Sequence, residues 1–167
     1  MSSDPALLER ARRVRLLVLD VDGVLTDGSL CIGAHGEETK VFHVRDGSGI
    51  VAVQRAGIAV AIISGRDSPA VTRRATELGI RHVRQGISDK RAALEALLAE
   101  LQLPAEALAC VGDDTPDLPM LECATLAVAV ADAHPSARAA AHWTTSAAGG
   151  HGAVREVCDL LLTAQGA

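Results

Sequence analysis

The segment Arg15–Gly28 reads RLLVLDVDGVLTDG. Its dense aliphatic run, Leu16, Leu17, Val18 and Leu19, delivers two carboxylates, Asp20 and Asp22, with a single residue between them. Gly23 follows at once, and glycine suits a backbone that leaves a strand sharply. A buried strand ending in acids and glycine puts charge at the carboxyl edge of a parallel sheet, where open α/β folds build their sites. Two carboxylates in such a place repel each other unless a cation sits with them. The segment therefore predicts a divalent-metal site in which one aspartate can also be a nucleophile.

Working outward from this first strand (Arg15–Val21), the pattern predicts strands and helices in alternation. The polar Met1–Arg13 contains an Ala/Leu/Arg stretch suited to a short helical turn. Ser29–Ile32, the turn-like GAHG of Gly33–Gly36, and Glu37–His43 form a predicted β-hairpin, an insertion over about 26–43 that covers something. Asp46 can cap a helix from about Gly47 to Ala56, with Gly57 as its stop. Ile58–Ile63 is a continuous apolar run, hence a buried strand, and it ends in Ser64-Gly65-Arg66. Ser68-Pro69 opens a helix to about Leu78, closed by Gly79. A short strand near His82–Arg84 comes next, and Ser88 precedes a helix through Leu101 whose Leu94, Leu97, Leu98 and Leu101 share one face. A strand at Leu108–Val111 runs into Gly112-Asp113-Asp114. A helix around Pro116–Glu122, a strand at Leu126–Val130, a helix at Ser136–Ala141 and a last helix from Ala153 to Thr163 complete the chain. Strands alternating with helices imply a doubly wound, Rossmann-like parallel sheet in one domain spanning 1–167.

Composition narrows the function classes. With 167 residues, 49% of them hydrophobic, the chain can bury a real core. Phe and Trp occur once each and Tyr not at all, so the core is aliphatic and stacking on bases has almost nothing to work with. A net charge of -5 argues against general binding to nucleic acid or to an anionic membrane. Neither a secretory h-region nor an apolar run near the ~18 residues of a membrane span is present, so the expectation is a soluble, cytoplasmic protein. Cys31, Cys110, Cys123 and Cys158 form no CxxC pair, and Cys110 and Cys158 lie in apolar runs that suit free buried thiols.

Four predicted strand ends carry polar groups that a doubly wound sheet gathers at one edge. They are Asp20/Asp22, Ser64, Lys90 at the start of its helix, and Asp113/Asp114 with Asp117. Carboxylates, a hydroxyl and an ammonium in one cleft can serve as a phosphoryl-transfer centre. Mg²⁺ wants octahedral oxygen ligation and keeps several waters, and it neutralises phosphoryl charge. Each motif alone has a plainer explanation: DxD as a solvated loop, Ser64 as a turn residue, Lys90 as surface charge, Asp114 and Asp117 as helix-capping acids.

Taken in order, DVDGVLTDG, IISGR, GISDK and VGDDTPD resemble the four motifs of the haloacid dehalogenase-like phosphatases. The resemblance implies Asp20 as nucleophile, forming an aspartyl-phosphate, and Asp22 as acid and then base. It implies Mg²⁺ held by Asp20, the Asp22 carbonyl and Asp113, with Asp114 and Asp117 in support. Ser64 and Lys90 would hold the transferring group. No stretch between these motifs has room for a cap domain, so selectivity is expected from a neighbouring subunit, with the hairpin packed between subunits.

Over roughly Arg15–Gln165 the chain also resembles a narrower family, the 3-deoxy-D-manno-octulosonate 8-phosphate (Kdo 8-phosphate) phosphatases, through FHVRDGSGI, VAVADAHP and GGHGAVREVCDLLL among others. That resemblance implies a homotetramer, Mg²⁺ dependence and a role in making the lipopolysaccharide core sugar. It also implies substrate contacts from Asp22, His43, Val44, Arg45, Asp46, Gly47, Arg66, Arg74, Lys90 and Asp114. Arg45, Arg66 and Arg74 offer planar forks for a substrate carrying both carboxylate and phosphate. Val51 departs from the family, whose members often place a basic residue there. Relatives acting on nine-carbon ulosonate phosphates generally lack the RDG and SGR arginines present here. A phospho-acceptor signalling domain, which also uses acids, a hydroxyl and a lysine, lacks GDDxxD and the long hairpin. An idle oligomerisation module has no use for an intact Asp20, Asp22, Lys90 and Asp113.

Overall fold

The computed structural model describes residues 4–167, so the first three residues of the predicted N-terminal stretch lie outside the described residues. The first half of the chain runs α1 (Pro5–Arg13), β1 (Leu16–Leu19), β2 (Cys31–Ile32), β3 (Glu38–Thr39), α2 (Val44–Arg55) and β4 (Ala59–Ile63). It continues with α3 (Pro69–Leu78), β5 (His82–Arg84) and α4 (Lys90–Leu101). The second half holds β6 (Leu108–Gly112), a 3₁₀ turn at Thr115–Asp117 leading into α5 (Leu118–Leu121), and β7 (Leu126–Ala129). Then come α6 (Pro135–Ala140), β8 (Trp143–Thr144) and α7 (Ala153–Gln165).

Six strands form one parallel sheet in the order β5-β4-β1-β6-β7-β8. β1 sits at its centre, with Leu16 opposite Ala59 on one side and Leu108 on the other. All four of its side chains are buried, as a strand covered on both faces requires. On one face α1 and α2 pack against α7, and α2 touches α3; on the other α4, α5 and α6 pack in sequence. Leu94 and Leu97 of α4 are buried and Leu98 and Leu101 lie partly buried against the core, the stripe expected from their spacing. The chain leaves β1 toward β4 and leaves β6 toward β7, so these two central neighbours diverge. That divergence opens a crevice at their carboxyl ends, the switch point where such sheets bind ligands. No helix among the described residues is long and apolar enough to cross a membrane.

Several boundaries differ from expectation for local reasons. Helix α2 begins at Val44, three residues early, because His43 and not Asp46 caps it, its Nδ1 accepting from the Arg45 N–H at 3.3 Å. Asp89, directly after Ser88, caps α4 by accepting from the Ala92 N–H. Ser68 holds the cap position of α3, yet its buried hydroxyl makes no cap bond. The predicted helix at Pro116–Glu122 is split into a 3₁₀ turn and a single α-turn, since Asp114 and Asp117 cap each other reciprocally at its start. The hairpin exists but pairs only Cys31 with Thr39 and Ile32 with Glu38. Edge strand β8 has only two residues, too few for a periodic signal, and was not anticipated. Among the cysteines, Cys110 and Cys158 are free and buried as expected.

Candidate active site

The site starts where β1 ends. The Asp20 N–H donates to Val111 O of β6 at 3.2 Å, so the sheet ladder itself aims this residue into the crevice. Beyond it the chain turns tightly, with Val24, Leu25 and Thr26 all donating to Val21 O. The buried Thr26 hydroxyl accepts from Gly28 N at 3.2 Å and Gly23 N at 3.4 Å, closing the loop on itself. Gly23 is obligatory twice over: its φ of +87° is left-handed, and a Cβ there would overlap the Asp113 carboxylate. The loop is clamped from outside by Gly149 and Gly150, which lead toward α7; a Cβ on Gly149 would strike the Gly23 carbonyl.

β6 supplies the opposite wall. Asp117 Oδ2 accepts from Asp113 N at 2.9 Å and Asp114 N at 3.3 Å, which folds the Gly112-Asp113-Asp114 turn back over the strand end. Its Oδ1 receives Lys90 Nζ at 2.6 Å, and the same ammonium lies 2.8 Å from Asp20 Oδ1. Lys90 thus bridges the two strand ends from the first turn of α4, with its side chain only 5% exposed. Ser64 is buried at the end of β4, held by its N–H to Arg84 O and its carbonyl to Ile87 N.

Asp20, Asp22, Ser64, Arg66, Lys90, Asp113, Asp114 and Asp117 line one cleft of about 300 Å³. Carboxylate oxygens of Asp20, Asp113 and Asp117 come within 4.8 Å of one another. Burial first, and then the charge of Asp117, push Asp20 up to about 6 despite the pull of Lys90. Burial, followed by the charges of Asp117, Asp20 and Asp114, pushes Asp113 to about 8. Burial works to lower Lys90, but the charges of Asp20 and Asp117 outweigh it and leave it above its ordinary value. One ammonium cannot balance this many acids, so the donor set suits a hard divalent cation with oxygen ligands.

The remaining predicted substrate residues lie elsewhere in the chain. His43, Asp46, Gly47 and Arg74 meet where α2 and α3 join, and none of them lines the cleft. Arg74 lies over Gly47, where a Cβ would collide with its guanidinium, and pairs with Glu77 at 3.4 Å. Val44 and Arg45 point to solvent. Asp46 is buried and its Oδ1 accepts from the Arg155 N–H at 2.8 Å, so it ties α2 to the first turn of α7.

Two side chains at the mouth were not anticipated. Lys40, just after β3, bonds Asp22 Oδ1 and lies 2.7 Å from Glu38 Oε1, while Glu38 Oε2 bonds Arg66. Arg66 Nε completes the ring 3.4 Å from Asp22 Oδ2. The hairpin therefore reaches the cleft of its own chain, where the sequence pointed to a neighbour's. The alternation around Lys40 marks a strand but says nothing of which face meets the site.

A family model described as haloacid dehalogenase-like hydrolase matches residues 83–157. The 3-deoxy-D-manno-octulosonate 8-phosphate phosphatase KdsC of Salmonella typhimurium is 52% identical over 162 residues, covering 97% of this chain and 86% of its own. The crystal structure of the 3-deoxy-D-manno-octulosonate 8-phosphate phosphatase from Yersinia pestis matches with a TM-score of 0.95 at 50% identity, over 97% of this chain and 88% of that one. The phosphatase of the same name from Moraxella catarrhalis, solved in complex with magnesium ion, phosphate ion and KDO, gives 0.94 at 43% identity, over 96% and 92%.

Proposed function

The chain belongs to the 3-deoxy-D-manno-octulosonate 8-phosphate phosphatase family of haloacid dehalogenase-like hydrolases, and on that premise we propose that it hydrolyses Kdo 8-phosphate to Kdo and phosphate through an aspartyl-phosphate. The observation that carries the reading is the meeting of Asp20, Lys90, Asp113 and Asp117 at the β1/β6 crevice, with Lys90 bridging Asp20 and Asp117.

In the first half-reaction Asp20 attacks phosphorus and the P–O bond to the sugar breaks. Asp22 gives its proton to the departing alkoxide. In the second, Asp22 takes a proton from the attacking water and phosphate leaves Asp20. Lys90 offsets charge beside the nucleophile, and Ser64 donates to a phosphoryl oxygen. Asp20, Asp113 and the Asp22 carbonyl hold Mg²⁺, with Asp114 and Asp117 in support; when bound, the cation neutralises the crowded acids and phosphoryl charge. Arg66, whose side chain is 44% exposed at the mouth, offers a fork to the substrate carboxylate.

The enzyme works as one domain over 1–167, in the cytoplasm, in lipopolysaccharide core sugar synthesis. A homotetramer is supported by the exposed Leu30, Ile32, Val41 and Val44 on the hairpin and the start of α2. Residues His43–Gly47 and Arg74 then serve substrate across a subunit boundary. Phosphate release measured with Mg²⁺ on a panel of esters tests the reading. Kdo 8-phosphate should exceed generic sugar phosphates in kcat/KM by at least about 100-fold. A nine-carbon ulosonate phosphate turned over faster would transfer the assignment to that substrate, and equal rates throughout would leave only a broad phosphatase.

A further inference from the structure

The hairpin is mostly exposed, with Leu30, Cys31, Ile32, Thr39 and Val41 all facing solvent. Lys40 is the contrary case, its side chain 2% exposed. Burying an ammonium costs several kcal/mol unless good partners meet it, and an ordinary surface ion pair would not be sealed from water at all. Its partners are Asp22 Oδ1 and Glu38 Oε1. Glu38 offsets its charge and is itself held by Arg66. Asp22 Oδ2 meets only the looser contact, Arg66 Nε at 3.4 Å from a half-exposed side chain.

From this we infer that Lys40 is a positioning residue for Asp22: it pins Oδ1 and so presents Oδ2 to the leaving group. This rests on Asp22 being the proton donor to the alkoxide. In that step the proton passes from Asp22 Oδ2 to the sugar oxygen as the P–O bond breaks, and Lys40 transfers nothing. A carboxylate anchored at one oxygen cannot rotate about χ2, so its free oxygen meets the substrate in one orientation, the geometric requirement for efficient proton transfer.

The test uses the leaving group. kcat/KM reports steps up to departure of the alcohol, and p-nitrophenolate departs without a proton whereas a sugar alkoxide does not. With Mg²⁺ present, Lys40→Met should lose about 10–100-fold in kcat/KM on Kdo 8-phosphate and less than about 3-fold on p-nitrophenyl phosphate. Glu38→Gln, which loosens Lys40 and also frees Arg66 while leaving Asp22 itself in place, should show the same bias at smaller size. Amide hydrogen exchange over residues 29–43 should quicken in Lys40→Met while the sheet strands keep their protection. Equal losses on both esters would overturn the inference, as a damaged fold predicts; so would no loss on either, and so would a loss on Kdo 8-phosphate confined to KM with kcat unchanged, as a lost substrate contact predicts. Asp22→Asn on the same pair separates the two levels. If it shows no leaving-group bias, the acid assignment of Asp22 fails; if it shows the bias and Lys40→Met does not, only the role of Lys40 fails.

Discussion

At the scale of single residues the cleft is an electrostatic problem whose solution is a cation. Asp20 at about 6 and Asp113 at about 8 stand above the ordinary carboxylate value near 4. A pKa raised in the folded state means these groups favour the fold while protonated. Their contribution is complete below about pH 4 and is lost as pH rises through about 6 for Asp20 and about 8 for Asp113. Mg²⁺ binds the ionised forms, so thermal melts with and without it should show little stabilisation at pH 5 and several degrees at pH 8.5. A shift as large at pH 5 would contradict this account. If Asp20 is the nucleophile of the proposed mechanism, Asp20→Asn keeps its shape but removes the attacking oxygen, and phosphate release should fall at least about 10³-fold. These acids were legible because each follows an apolar run or a glycine turn. Lys40 and Glu38 were not, since neither type nor spacing says where a short arm lands.

Secondary elements decide how firmly those residues are held. The loop after β1 bears Asp20 and Asp22, and the Gly149-Gly150 corner presses on its backbone. Gly149→Ala drives a Cβ into the Gly23 carbonyl, and neither partner is a flexible side-chain end that could give way. It should cost about 1–3 kcal/mol in denaturant unfolding and lower kcat by an order of magnitude or more. The same α7 is anchored at its first turn by Asp46, whose bond to the Arg155 N–H closes one of the helix's free donors. Asp46→Ala should destabilise by about 1 kcal/mol. The glycine-rich corner was visible as a motif, but its packing partner lies more than a hundred residues away in sequence. The hairpin was visible as a turn flanked by alternation, yet only two residue pairs form, because the arm bends toward the cleft instead of continuing the ladder.

For the whole molecule, the placement of His43–Gly47 and Arg74 outside the cleft sets the strongest expectation. In sedimentation the protein should run as a tetramer, and Val41→Asp with Val44→Asp should break it. The dissociated protein should keep activity on p-nitrophenyl phosphate and lose most of it on Kdo 8-phosphate, because only the latter needs contacts beyond the Asp20 cleft. Equal activity on both would remove the need for a neighbour. The fold class follows from the sequence by itself, as does the gathering of Asp20, Lys90, Asp113 and Asp117 at one edge of the sheet, for these rest on local signals: unbroken apolar runs, glycine exits and capping residues. Only the tertiary structure decided that Lys90 spans Asp20 and Asp117, that Asp46 serves α7 and that the hairpin grips Asp22 of its own chain. Those are long-range pairings, and they depend on where packing leaves each charged end, which no local pattern encodes.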